Sequence, residues 1–192
     1  MLRRVIDNIC TAISKFEAQK KKVILGDSCK INGICKFLSD SPGSIKIGNK
    51  VDINSGRRFN PIGGDTYTMF RTIGVGKIVI GNNVGISNST IVARKAVRIE
   101  DKVRIGGSCK IYDNDFHSLG VKNRLSSSDT NIASSEIIIK EGAFIGAHSI
   151  ILKGVVIGIN SIIGAGSVVT KNVPDGEIWG GNPAKFIRKI ND

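Results

Sequence analysis

His117 and His148 are the only histidines in 192 residues, and imidazole is the side chain that ordinarily exchanges a proton near neutral pH. His117 lies in Asp113-Asn114-Asp115-Phe116-His117-Ser118. Carboxylates four and two residues ahead of an imidazole can fix its tautomer and stabilise the imidazolium. The segment therefore reads as a general base, His117, with Asp115 and Asp113 as its orienting acids. His148 reads as a surface turn residue or a ligand contact. The four cysteines, Cys10, Cys29, Cys35 and Cys109, form no CxxC pair. With two histidines they support no zinc site, so no metal is expected.

Such a base needs a rigid support, and the sequence supplies one as a repeat. Ile139, Ile145, Ile151, Ile157, Ile163 and Val169 fall six residues apart. Upstream, the spacing returns in triplets: Leu25, Ile31, Phe37; Ile47, Ile53, Phe59; Ile80, Ile86, Val92; Ile99, Ile105, Ile111. Neither the helical period of 3.6 nor the strand period of 2 gives this spacing. A chain that turns a corner every six residues does, each apolar residue pointing into a narrow triangular interior. Three hexapeptides make one coil, and six triplets predict about six coils.

The position four after each apolar residue also faces inward and is usually small: Cys29, Cys35, Thr90, Ala96, Cys109, Ala143, Ser149, Ser161 and Ser167. Three of the cysteines are thus packing residues. Extra residues follow the third member of a triplet, with the longest excursions near 61–76 and 112–135, so all are expected at one edge of the prism. Loops gathered at one edge of a rigid scaffold are where a site is assembled.

Leu2, Ile6, Ile9, Ile13 and Phe16 form the stripe of an amphipathic helix, ended by Lys20, Lys21 and Lys22. The preferred reading is a cover for the open first coil; the alternative is a basic helix lying on a membrane. At the other end, Asn182 and Pro183 precede Ala184 to Ile190, which reads as a short basic helix. The organisation is an N-terminal amphipathic helix over 1–22, a β-helix domain over 23–175, and a C-terminal loop and helix over 176–192.

The net charge of +12 suits a polyanionic or phosphate-bearing partner. The basic residues lack the aromatic interleaving of a single-strand binder, and no zinc-finger or RNA-recognition signature is present, so nucleic acid is not expected. No apolar run approaches a bilayer span and no signal-peptide block opens the chain, so the expected location is cytoplasmic. Regular β-helices also serve as purely structural rods, which is the non-enzymatic alternative.

The run from Ile157 to Lys171, with Gly181-Asn182-Pro183-Ala184-Lys185 after it, resembles the hexapeptide-repeat acyltransferases. Together with Asp113 to Ser118 it is similar to their sugar O-acetyltransferase branch. The resemblance implies an all-β fold built on a left-handed parallel β-helix, a homotrimer with sites between subunits, and acetyl-CoA as donor to a sugar or surface-polysaccharide acceptor. It implies that the backbone at Ala147 faces the thioester carbonyl and that Ala165 lines the pantetheine arm. Thr170, Lys171, Lys185 and Arg188 would meet the cofactor's phosphates and adenine end. Ser87 and Asn88 occupy the coil where relatives bind the acceptor. The enzymatic alternatives are N-acetylation of an amino sugar and acetylation of a xenobiotic. Phe116 stands where galactoside-type relatives often carry a second histidine, which argues against a free disaccharide as acceptor.

Overall fold

The computed structural model describes residues 2–64 and 67–191, so Asp65 and Thr66 of the first excursion, and the side chains of Leu2, Arg3 and Arg4, lie outside the described part. Three parallel sheets form the faces of a triangular prism, and each coil contributes one strand to each face in turn. The first face holds Ile24–Leu25, Ile45–Ile47, Lys77–Ile80, Ala96–Ile99, Ile137–Ile139 and Val156–Ile157. The second holds Lys30–Gly33, Asp52–Ser55, Gly85–Ser87, Arg104–Ile105, Phe144–Ile145 and Ile162–Ile163. The third holds Lys36–Leu38, Met69–Thr72, Thr90–Ala93, Lys110–Tyr112, Ile150–Ile151 and Val168–Val169. The architecture is a left-handed parallel β-helix with an N-terminal helix.

The six-residue spacing works because equivalent apolar residues stack in register from coil to coil. Leu25, Ile47, Ile80, Ile99, Ile139 and Ile157 pair successively along the first face. Ile31, Ile53, Ile86, Ile105, Ile145 and Ile163 do so along the second. On the third face the ladder is Phe37, Phe70, Ile91, Ile111, Ile151 and Val169, which corrects two expected members. Phe59 is replaced by Phe70, whose ring stacks on Phe37 at 5.5 Å. Val92 is replaced by its neighbour Ile91.

Both corrections arise at the corner between the second and third faces. Gly56, at φ 94, turns the chain outward, and Asn60 caps a short turn of 3-10 helix, Pro61–Gly63, by accepting from the Ile62 amide. The ring of Phe59 lies against Gly33, where a Cβ would approach it to 2.8 Å. One coil later Asn88, at φ 42, makes the corner in one residue fewer and shifts the register to Ile91. Inward small residues follow suit: Ser89 and Val97 are fully buried where Thr90 and Ala96 were expected, while Cys35, Cys109, Ala143, Ser149, Ser161 and Ser167 are buried as the repeat predicts. The first excursion therefore covers 56–68 and leaves from this corner, so the long loops do not all share one edge.

Asn88 anchors that excursion. Its side chain is fully buried, accepting from the Gly56 amide at 2.6 Å and donating to the Asn60 carbonyl at 2.7 Å. Asn88→Ala leaves both groups without these partners and is expected to lose about 1–3 kcal/mol of stability, read as a lower urea midpoint with an unchanged m-value.

At the N-terminal end the helix Leu2–Lys20 covers the first coil, as expected, but not with its apolar stripe. An open coil end presents backbone groups that need partners more than it needs hydrocarbon. Thr11 Oγ1 donates to the Ile31 carbonyl at 2.8 Å. Ser14 Oγ donates to the Gly33 carbonyl at 2.8 Å and accepts from the Cys35 amide at 2.9 Å. Ala18 packs beside them, and Ile6, Ile9, Ile13 and Phe16 remain exposed.

At the other end the expected C-terminal helix is a strand. Glu177–Gly180 adds a partial seventh layer, pairing in parallel with Ile162–Ile163, and Lys185–Lys189 returns antiparallel along it. Seven residues after Pro183 are too few for a stable isolated helix, whereas an edge strand carrying Lys185, Arg188 and Lys189 satisfies the last open sheet and discourages further pairing. Trp179 stacks above Ile163 and packs against the core. Among the described residues no helix is long and apolar enough to cross a membrane.

Candidate active site

The longest excursion leaves after Tyr112 on the third face and returns at Ile137 on the first. Its neck is zipped by an antiparallel bridge between Asn114 and Ser134, with the Ser135 amide donating to the Asp113 carbonyl and the Asp115 amide to that of Ala133. His117 sits just beyond this neck, on an exposed turn with Phe116 at φ 60. The ring of Phe116 packs edge-on against Tyr112 at 5.2 Å.

Neither expected carboxylate touches the imidazole. Asp113 is fully buried and accepts from the backbone amides of Arg94, Lys95 and Ala96 at 2.7, 2.7 and 2.6 Å, and from Asn114 Nδ2 at 3.2 Å. It fastens the loop's root to the preceding coil. Asp115 pairs with Lys153 Nζ at 2.6 Å and ties the neck to the following coil. The carboxylate that meets the ring is Asp129, with Oδ2 3.2 Å from His117 Nδ1.

Asp129 is itself held in place. It accepts from the Ser118 amide at 3.0 Å and from the Ser118 hydroxyl, and those two donors hold its carboxyl below the ordinary carboxylate range. It is therefore ionised at neutral pH. Its contribution to holding the loop is present above the usual carboxylate pKa and fades as pH falls through the lowered value. With Nδ1 turned to Asp129, Nε2 of His117 is left to face solvent or a substrate. Twelve residues and a short helix, Val121–Arg124, separate the pair, so spacing could not reveal Asp129. The available signal was that it is one of the few acidic residues in the loop.

The other expected residues occupy several edges. Ala147 and Ala165 lie at the corner between the second and third faces, and neither amide has a hydrogen-bond partner among the described residues. The corner is kept open by glycine: a Cβ on Gly106 would fall 2.6 Å from the Ala147 nitrogen, and one on Gly146 would fall 2.5 Å from that of Ala165. His148 follows as an exposed corner residue at φ 63. The chain entering Lys185 crosses this corner, with the Gly181 amide on Ser167 Oγ at 3.1 Å and the Ala184 amide on the Val168 carbonyl at 2.8 Å. Lys185 and Arg188 are exposed on the last strand, while Thr170 and Lys171 are exposed at the corner between the third and first faces, the edge from which His117's loop leaves. Within one chain the third face thus separates His117 from Ala147.

On the second face Ser87 lines an open groove of about 440 Å³ with Asp52, Asn54, Arg104 and Phe144. The ladder arithmetic did not single out those four residues. Asn88 does not line it, because it is buried in the loop clamp described above. Burial pushes the Cys35 and Cys109 thiols up, which suits packing residues rather than nucleophiles.

Residues 136–171 match the family of bacterial transferase hexapeptide repeats. Among solved structures the chain is similar to AntD, an N-acyltransferase from Bacillus cereus, in a mutant form bound to dTDP-4-amino-4,6-dideoxyglucose and coenzyme A. The identity is 25%, with a TM-score of 0.72 over 93% of this chain and 90% of that one. It shares its fold with VCA0836, a hexapeptide-repeat acetyltransferase from Vibrio cholerae bound to acetyl-CoA, at 22% identity and a TM-score of 0.60 over 93% and 76% of the two chains. It is also 32% identical over 105 residues to mitochondrial gamma carbonic anhydrase 2 of Arabidopsis thaliana, a match spanning 48% of this chain and 38% of that relative's length. The chain thus carries the bacterial transferase hexapeptide repeat on a left-handed β-helix of the kind seen in acyltransferases solved with coenzyme A.

Proposed function

We propose that the protein is an acyl-CoA-dependent acyltransferase in which His117, oriented by Asp129, removes a proton from a sugar acceptor. The observation that carries this reading is the imidazole held 3.2 Å from an ionised carboxylate at the neck of the longest loop, on a fold whose neighbours bind coenzyme A. Acetyl-CoA would supply the activated acyl group. His117 Nε2 takes the acceptor's proton as the acceptor atom bonds to the acyl carbon, and returns it to the thiol sulfur as the C–S bond breaks. The Ala147 amide, lacking a protein partner, would donate to the developing oxyanion.

The third face separates these two parts in one chain, and a three-fold assembly reunites them by setting the His117 edge of one subunit beside the Ala147 corner of the next. The exposed apolar side chains at the tip of the His117 loop, Leu119, Val121 and Leu125, supply a contact for that neighbour. On this arrangement Thr170 and Lys171 of one subunit, and Lys185 and Arg188 of the other, flank the donor's phosphates, which charge-assisted hydrogen bonds favour. Ser87 and its groove are the acceptor side, and Asn88 acts there only by fixing the neighbouring loop.

A hydroxyl acceptor on a bacterial surface polysaccharide or its precursor is one reading. Attack by an amine is the other, favoured by the likeness to an N-acyltransferase bound to an amino-sugar nucleotide over nine-tenths of both chains. Release of coenzyme A thiol from acetyl-CoA, compared between an amino-sugar nucleotide and its hydroxyl counterpart, separates the two. Absence of release with either overturns the reading. Asp129→Asn is expected to lower kcat by up to the same order as removing the imidazole, about 10²- to 10⁴-fold, with KM for acetyl-CoA little changed.

A further inference from the structure

The N-terminal helix presents its surfaces in an unusual way. Its small and hydroxyl-bearing side, Thr11, Ser14 and Ala18, packs on the first coil, while Val5, Ile6, Ile9, Ile13 and Phe16 are 42–64% exposed. At spacings of three and four these form one continuous apolar stripe along a helix of 19 residues. Ile24, just beyond the helix, is 51% exposed as well. A contiguous exposed stripe of this kind marks an interaction surface rather than scattered surface hydrocarbon.

The charges around the stripe select its occupant. Lys20, Lys21 and Lys22 end the helix with three consecutive positive charges. The acidic residues of the helix do not balance them there. Asp7 lies on the packed side, engaged by Arg58 at 3.1 Å, and Glu17 is half-buried. Lys20 to Lys22 border a shallow depression of about 220 Å³ with Ser39 and Ser41. Its one carboxylate, Asp40, is turned to the Gly74 amide at 3.0 Å and to Arg71. The hydroxyls of Ser39 and Ser41 are engaged by the carbonyls of Ser41 and Gly74, so the depression offers an anion the ammonium groups of the lysines. Pairing the stripe in parallel with a second copy sets one lysine run against the other. A surface with an apolar interior and anionic headgroups complements both features at once.

We propose that this helix docks the protein in the plane of an anionic lipid bilayer, with Ile6, Ile9, Ile13 and Phe16 at the acyl boundary and Lys20 to Lys22 among the headgroup phosphates. The test is flotation of the full-length protein with vesicles of phosphatidylcholine alone and of equal parts phosphatidylcholine and phosphatidylglycerol. Binding is expected to the anionic vesicles, weakened by high salt as the headgroup attraction is screened. Ile9→Glu with Ile13→Glu is expected to cut partitioning about ten-fold or more, and Lys20→Glu with Lys21→Glu to weaken it too. The Ile9/Ile13 variant should unfold at the wild-type temperature, because both replaced side chains are exposed. No flotation with anionic vesicles, or undiminished binding by the Ile9/Ile13 variant, overturns the proposal. So does a lower oligomer mass for that variant in sedimentation, which would make the stripe an interface between copies.

Discussion

Replacing His117 with alanine is expected to lower turnover by about 10²- to 10⁴-fold, the usual worth of a positioned general base, while leaving the unfolding temperature where it is. The second half follows from geometry. The His117 side chain is 70% exposed, and among the described residues its one side-chain hydrogen bond is to Asp129. Asp129 keeps its bonds to the Ser118 amide and hydroxyl when the ring is gone. Thiol release from acetyl-CoA measures the first quantity and thermal unfolding the second. Normal turnover in the variant would remove His117 from the chemistry. A large drop in unfolding temperature would show that the ring supports the loop.

Replacing Asp113 with alanine should have the opposite signature. Its carboxylate accepts from three consecutive backbone amides, those of Arg94, Lys95 and Ala96, in a fully buried site. Each buried donor left without a partner costs about 1–3 kcal/mol, so the variant should lose about 3 kcal/mol or more. In a domain of this size each kcal/mol moves the midpoint roughly 2–4 °C, so the expected fall is roughly 6–12 °C by scanning calorimetry. Asp113→Ala activity should drop with the folded fraction and the loop's placement, not through proton transfer. A variant that unfolds normally but loses turnover as His117→Ala does would return Asp113 to the catalytic role its spacing suggested.

That contrast shows what could be read from the chain. The ladders were legible because they depend on the repeat itself: from Ile139 to Val169 every sixth residue is inward and buried. The third-face ladder slipped at Phe59 and Val92 because period counting assumes that each corner takes the same number of residues. Gly56 and Asn88, both at positive φ, change that number locally. The N-terminal helix was legible in position but not in orientation. An amphipathic stripe predicts a buried apolar face only where hydrocarbon is the missing partner, and here the open coil needed the hydroxyls of Thr11 and Ser14. The C-terminal basic segment is a strand rather than a helix because it pairs with Glu177–Gly180, a segment beyond the six-residue period.

At the candidate site, the sequence pointed to His117 through its loop and its rarity. It assigned the orienting role to the nearest carboxylates along the chain, whereas folding turned Asp113 and Asp115 to the scaffold and brought Asp129 to the ring from the far side of the loop. Contacts closed by a long loop are not ordered by sequence distance. The corner amides of Ala147 and Ala165 carry no side-chain signal; the family resemblance points to both positions, and the structure adds that neither amide has a hydrogen-bond partner among the described residues.

The central claim is that this β-helix binds an acyl-CoA, and thermal unfolding with and without acetyl-CoA tests it most directly. At a concentration a hundred-fold above its dissociation constant, a ligand specific for the folded state adds about 2.7 kcal/mol. The expected result is a rise of roughly 5–10 °C in unfolding temperature with millimolar acetyl-CoA. An unmoved midpoint at that concentration would contradict the account and leave the prism as a structural rod.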